Sequence, residues 1–79
     1  MEHFDLNIEH RGLTKTFHGT FSKYGWSYRF TIDVEGSDVI FEPDEERNLR
    51  VIVPLGKQED SKLRELVSLI AHELREIFM

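Results

Sequence analysis

The stretch WSYRFTIDV, residues 26–34, alternates large apolar and polar side chains without a break. Successive side chains of a β-strand point to opposite sides of a sheet, so alternation of this length is typical of a strand with one buried face. The pattern predicts that Trp26, Tyr28 and Phe30 lie on the covered face. Arg29 and Thr31 then lie on the outer face.

Four further segments continue this pattern on either side of the stretch. They are residues 4–8, 13–22, 39–42 and 49–53, joined by two-residue turns at 11–12, 24–25 and 36–37 and by a polar loop at 43–48. The turn positions fix which residues face each other. Every resulting pair keeps apolar side chains on one side. On the covered face the pairs are Leu6 with Phe17, Phe4 with Gly19, Gly19 with Phe30, Phe21 with Tyr28, Phe17 with Ile32, Val34 with Val39, Phe41 with Val51, and Val39 with Val53. On the other face Ile40 pairs with Ile52 and Glu42 with Arg50.

The last twenty residues change from a period of two to the spacing of an amphipathic helix. We predict a helix over 60–78, with Asp60 or Ser61 as the residue that caps its start. Its apolar stripe and the apolar sheet face bury each other in two layers. The sequence therefore predicts one α+β domain over 1–79, in which a five-stranded (four to five) antiparallel meander over 1–55, in the order 1-2-3-4-5, carries the C-terminal helix on its aromatic face (βββββα).

Composition excludes several classes of protein. The 79 residues contain 10 Lys and Arg against 15 Asp and Glu, a formal charge of −5. The basic residues are scattered, which argues against binding of nucleic acid or of an anionic membrane surface. No apolar run approaches the roughly 20 residues of a membrane span. With no cysteine and no signal-peptide pattern in MEHFDLNIEH, we expect a soluble cytoplasmic protein without disulfides.

Two segments with carboxylate side chains, one around His72 and one at 42–46, bear on metal and ligand binding. His72 begins a motif like the zinc-protease H-E-x-x-H, but Glu76 stands where the second histidine should be, which favours a solvated i, i+4 pair. The acidic segment 42–46 lacks the alternating oxygens and the glycine of a calcium loop. We expect a solvated turn there, with an acidic recognition loop for a basic partner as the alternative. Its carboxylates are Glu42, Asp44, Glu45 and Glu46.

The outer sheet face carries the remaining candidates. The predicted pairing places His18 opposite Thr31, near Arg29 and Asp33. An enzyme would use His18 as a base oriented by Asp33, but no nucleophile or oxyanion-binding turn accompanies it. Ile40 and Ile52 face each other on this side, and two exposed β-branched residues favour contact with a partner. Tyr24 is the aromatic residue expected to be exposed at a turn.

The residues 24–30 and 39–46, YGWSYRF and VIFEPDEE, together with the amphipathic tail, resemble a group of small uncharacterised bacterial proteins. Those proteins are rich in strands, end in one helix and have no assigned activity. The resemblance implies the same fold and a bacterial cytoplasmic setting. It transfers no functional residue to this chain.

Charge and the lack of a catalytic constellation favour a non-enzymatic protein-interaction module without a cofactor or a resident metal. The free edge strands also suit a homodimer. Two alternatives are a small-ligand or metal-binding protein that uses polar residues of the outer face, and an acidic inhibitor or immunity-type protein that binds a basic partner. The predicted interaction surface consists of His18, Arg29, Asp33, Ile40, Ile52, Glu42, Asp44, Glu45 and Glu46.

Overall fold

A computed structural model describes residues 1–46 and 48–78, with the side chain of Tyr24 excepted. Within these ranges five strands precede one helix, and the strands form an antiparallel sheet in the order β1-β2-β3-β4-β5. The predicted βββββα arrangement is confirmed. The helix is not long and apolar enough to cross a membrane. The elements are β1 (Glu2–His10), β2 (Leu13–Tyr24), β3 (Ser27–Val34), β4 (Ser37–Pro43), β5 (Leu49–Ile52) and α1 (Ser61–Phe78).

Two of the hairpin turns have left-handed backbone at both central residues. The φ angles are 53° at Arg11 and 79° at Gly12, and 54° at Glu35 and 86° at Gly36. Two-residue turns of this kind match the twist of the flanking strands and favour glycine at a central position. The Asp33 carboxylate accepts a hydrogen bond from the Gly36 N–H at 2.9 Å, which holds the second of these turns.

The predicted positions of two turns are wrong by one residue. The β2–β3 turn lies at 25–26 rather than 24–25, and the β3–β4 turn lies at 35–36 rather than 36–37. Moving a two-residue turn by one position changes the pairing by two residues, and this leaves every side chain on its predicted face. The core face is therefore as predicted, although the partners across it differ.

The corrected partners concern β2, β3 and β4. Phe30 faces Phe21 and Phe41, and Gly19 faces Ile32 instead of Phe30, so the predicted pair of Phe17 with Ile32 is wrong. Val34 faces Ser37 instead of Val39, Phe21 no longer faces Tyr28, Arg29 faces Ser22, and Thr31 faces Thr20 instead of His18. The predicted pairs of β1 with β2 and of β4 with β5 are confirmed, namely Leu6 with Phe17, Phe4 with Gly19, Phe41 with Val51, Ile40 with Ile52 and Glu42 with Arg50.

The core lies between the sheet and α1, and Phe30 lies near its centre. Phe30 is fully buried, and its ring centroid lies 5.3 Å from that of Phe21 and 4.9 Å from that of Phe78. A Cβ at Gly19 would meet the side chains of Ile32 and Phe4, so a larger residue here would force these side chains to shift. The buried helix residues are Leu63, Leu66, Val67, Ile70, Ala71 and Leu74.

The start of α1 is capped by a side chain. The Asp60 carboxylate accepts a hydrogen bond from the Leu63 N–H at 3.1 Å. This satisfies one of the amide groups that a helix start leaves without an internal partner. Of the two predicted caps, the structure selects Asp60, and the helix begins at Ser61.

Candidate functional site

The most exposed large side chain near the acidic segment is Trp26. The sequence prediction placed it in the core, and this is wrong: Trp26 is fully exposed, because it lies in the β2–β3 turn and not on β3. Tyr28, which does lie on β3, is partly buried against the core as predicted. An exposed tryptophan leaves a large apolar area in water, and such residues are enriched at protein interfaces.

Trp26 borders a shallow recess of about 740 Å³ at the end of the sheet where the acidic segment lies. The β2–β3 turn and the β4–β5 connection meet there, since antiparallel strands bring alternate connections to the same end. The recess therefore combines an aromatic rim with carboxylates. Its lining residues are Trp26, Ser27, Tyr28, Pro43, Asp44, Glu45, Glu46 and Arg50.

Asp44 holds the acidic loop in place. One oxygen of its carboxylate accepts hydrogen bonds from the N–H groups of Glu46 and Asn48, at 2.8 and 2.9 Å. The Asp44 N–H donates to the Asn48 carbonyl at 2.8 Å. The Asp44 side chain thus organises the turn and leaves Glu45 and Glu46 exposed to solvent beside Trp26. The prediction of a solvated turn is confirmed for these two glutamates.

Glu42 does not belong to this solvated loop. It lies in β4, its side chain is only 18% exposed, and its carboxylate pairs with Arg29 at 3.3 Å and with Arg50 at 3.0 Å. The cross-strand pair with Arg50 was predicted, whereas grouping Glu42 with the free acidic residues was wrong. Because two guanidinium groups already neutralise Glu42, the acidic character of the recess comes from Asp44, Glu45 and Glu46.

The predicted environment of His18 is also wrong in part. Its Nδ1 lies 3.0 Å from an Asp5 oxygen and its Nε2 lies 3.2 Å from Nδ1 of His3. The Asp33 carboxylate instead accepts a hydrogen bond from the Gly36 N–H. Asp33 and His18 line the same shallow recess but form no hydrogen bond with each other. The structure therefore does not assemble the His18 and Asp33 pair that a general base would need.

His3 is a residue that the sequence prediction missed. It precedes the predicted start of the first strand, yet β1 begins at Glu2 and places His3 opposite Thr20 on the outer face. The signal that could have found it is parity, because His3 shares the odd positions of Asp5 and Asn7. Across the strands, His3, Thr20 and Thr31 lie in one row on the outer face, and this row ends in the predicted pair of Ile40 and Ile52. Ile40 is half-buried and Ile52 is 43% exposed.

At the end of the sheet opposite Trp26 and the acidic loop, ion pairs join the hairpin of β1 and β2 to α1. Buried His10 lies 2.7 Å from a Glu65 oxygen, and Arg11 donates two hydrogen bonds to the same carboxylate at 3.0 and 3.3 Å. The bonds from Arg11, and then that from His10, lower the pKa of Glu65, and the same contact raises the pKa of Arg11. This cluster ties two elements together.

Basic residues beside that cluster are likewise paired. Lys15 lies 3.1 Å from Glu35, and Lys62 lies 3.6 Å from the same carboxylate oxygen. The hydrogen bond from Lys15, followed by its charge and that of Lys62, lowers the pKa of Glu35. The recess of about 410 Å³ at this end is lined by three cations, Arg11, Lys15 and Lys62, each of which already pairs with Glu65 or Glu35.

The His72 and Glu76 pair is exposed on α1, with 3.8 Å between Nε2 and the carboxylate oxygen. The predicted solvated i, i+4 pair is confirmed. Among residues 1–46 and 48–78, no group of three or more His, Asp and Glu side chains is arranged to hold a metal ion.

Comparison of the chain with protein-family models, with curated proteins and with solved structures found no match. The candidate site is therefore defined by its own geometry. It consists of the exposed indole of Trp26 and of the acidic loop 44–46. In this loop the Asp44 side chain fixes the turn, and the carboxylates of Glu45 and Glu46 face solvent.

Proposed function

We propose that this chain is a non-enzymatic protein-interaction module that binds a basic segment of a partner protein through Trp26 and the acidic loop 44–46. The observation that carries the proposal is the full exposure of Trp26 beside a recess lined by three carboxylates and one cation, Arg50, which already pairs with Glu42. An arginine or lysine side chain suits both parts, because its stem covers the indole while its charge meets the carboxylates.

The charge of the whole chain supports the same partner. A formal charge of −5 attracts a basic segment at long range and speeds its association. The tight hydrogen bonding of Asp44 keeps the loop ordered, which lowers the entropic cost of binding. This proposal joins two of the sequence hypotheses, the interaction module and the acidic protein that binds a basic partner.

Trp26 is the sole tryptophan of the chain, so its fluorescence reports on this site directly. We expect a hexaarginine peptide, which does not fluoresce, to change the Trp26 emission with a saturable titration that weakens as salt is added. Hexaglutamate should leave the emission unchanged. A tryptophan emission that does not respond to hexaarginine at low salt would contradict the proposal.

A charge-matched pair of variants separates the local site from general attraction. The double variant Glu45→Gln and Glu46→Gln removes two exposed charges from the loop, each worth about 0.2–1 kcal/mol. Binding of hexaarginine should therefore weaken roughly two- to thirtyfold. The double variant Glu9→Gln and Glu59→Gln makes the same change in net charge at other exposed positions. If both double variants weaken binding equally, the acidic loop is not the binding site.

A further inference from the structure

On the outer face of the sheet, which is the face away from α1, the imidazole rings of His3 on β1 and His18 on β2 lie close together. The His3 and His18 rings are nearly parallel, at an angle of 22°, with their centroids 5.3 Å apart. Nδ1 of His3 lies 3.2 Å from Nε2 of His18. Both side chains are exposed, so an ion in solution reaches them freely. We propose that His3 and His18 together bind a divalent transition-metal ion such as Zn²⁺, with water completing its coordination.

The distance between the two nitrogens fits a shared metal ion. Zinc binds histidine nitrogen at about 2.0–2.1 Å in tetrahedral geometry, which places two such nitrogens roughly 3.3 Å apart. The observed 3.2 Å is close to this spacing. The two rings project from paired neighbouring strands, since His3 faces Thr20 and Asp5 faces His18. The backbone of the sheet therefore holds the two ligands near the required separation.

Asp5 supplies the supporting contact that metal-binding histidines commonly have. Its carboxylate lies 3.0 Å from Nδ1 of His18, on the side of the ring away from His3. An ionised carboxylate only accepts hydrogen bonds, so Nδ1 of His18 carries the proton and, in the neutral ring, Nε2 keeps its lone pair. A carboxylate in this position fixes the orientation of the imidazole and the nitrogen that can bind the ion.

The protons balance in a simple way. When both rings are neutral, Nδ1 of His3 donates the hydrogen bond to Nε2 of His18. Binding the metal moves the His3 proton from Nδ1 to Nε2, so that Nδ1 of His3 and Nε2 of His18 each give a lone pair to the ion. No proton is lost from two neutral rings.

This site is separate from the acidic loop, and its two-nitrogen donor set favours zinc, copper or nickel over calcium or magnesium. It also differs from the His18, Arg29 and Asp33 grouping that the sequence suggested. His72 provides a matched control, because it is also exposed and lies 3.8 Å from a Glu76 carboxylate on α1, but this site has one imidazole only.

The test is a Zn²⁺ titration of the untagged full chain, followed through the NMR signals of the histidine rings. We expect the His3 and His18 signals to shift together and to saturate at one ion per chain, while His72 stays in place. His3→Gln and His18→Gln should each weaken Zn²⁺ binding at least tenfold, and His72→Gln should leave it unchanged. Asp5→Ala should weaken binding by about tenfold through the lost orientation of His18.

Three outcomes would overturn the proposal. The first is the absence of a shift at His3 and His18 in millimolar Zn²⁺. The second is binding that survives His18→Gln, as a site made by His3 and the amino terminus alone would. The third is a shift centred on His72. The double variant Glu45→Gln and Glu46→Gln should leave the His3 and His18 shifts unchanged, which distinguishes this metal site from the proposed partner site.

Discussion

Truncating Phe30 to alanine tests the arrangement of the core most directly. Phe30 is fully buried, and its ring lies against those of Phe4, Phe21, Tyr28 and Phe78 at centroid distances of 4.9–6.0 Å. Removing a buried phenylalanine ring costs about 3–5 kcal/mol, because apolar burial is lost and a cavity remains. A chain of this size has a free energy of unfolding of about 4–12 kcal/mol, so Phe30→Ala removes a large fraction of it.

The effect is measured by thermal unfolding followed with far-UV circular dichroism, since the exposed Trp26 does not report on the core. One kcal/mol corresponds to about 4–8 °C for a domain of this length, so we expect the Tm to fall by about 12–40 °C. Phe30→Leu keeps an apolar side chain, and it should cost roughly 1–2 kcal/mol and remain folded if the alanine variant does not.

The control is Thr31→Ala, at the next residue of β3 and on the opposite face. Thr31 is half-buried and faces Thr20 and Ile40. Its truncation leaves no aromatic cavity, and it should cost less than about 1 kcal/mol. Equal losses from Phe30→Ala and Thr31→Ala would refute the assignment of the buried face.

Two further predictions concern α1 and its link to the first hairpin. Asp60→Ala removes the acceptor for the Leu63 N–H and should lower the free energy of unfolding by about 0.5–2 kcal/mol in a urea titration, whereas Asp60→Asn keeps the cap and nearly all of the stability. Arg11 and His10 lower the pKa of Glu65 in the folded chain. The ionised carboxylate therefore contributes its full stabilisation above the ordinary glutamate pKa of about 4.3. This stabilisation is lost as the pH falls through the lower pKa of the folded state. Glu65→Gln should flatten stability against pH in that acidic range, and an unchanged acid profile would contradict the role of this contact.

Period and parity in the sequence were enough to predict the layers. The alternation around Phe30 and Ile32 assigns them to one face, and the structure buries both fully. The pairing of β4 with β5 was also predicted, because Glu42 with Arg50 and Phe41 with Val51 satisfy both faces at once. The face of each residue depends on local side-chain spacing, which a single strand already contains, and the pairing of β4 with β5 follows from matching two such patterns.

Turn positions could not be settled by the same means. Gly25 and Gly36 each fit a two-residue turn in more than one alignment, and both alignments keep the apolar residues on the same face. The folded chain selects the alignment in which Phe30 lies between Phe21 and Phe41. That choice depends on packing among three strands, which no single turn encodes.

Trp26 shows what this ambiguity means for the candidate site. Its parity with Tyr28 predicted a core residue, but a shift of the turn by one position takes it off the strand and into solvent. The acidic residues were found from the sequence, whereas their position beside an exposed indole was not. The interaction site that we propose exists only because these two connections meet at one end of the sheet.

The fold class, the faces of the strands and the apolar stripe of the helix follow from the amino-acid sequence alone, because hydrophobic periodicity records which side of each element avoids water. Which polar residues become neighbours depends on the folded chain. His3 meets His18, Glu42 is enclosed by Arg29 and Arg50, and Trp26 stands beside the acidic loop. Burial imposes no pattern on exposed positions, so contacts among them follow from strand pairing and turn position rather than from spacing along the chain.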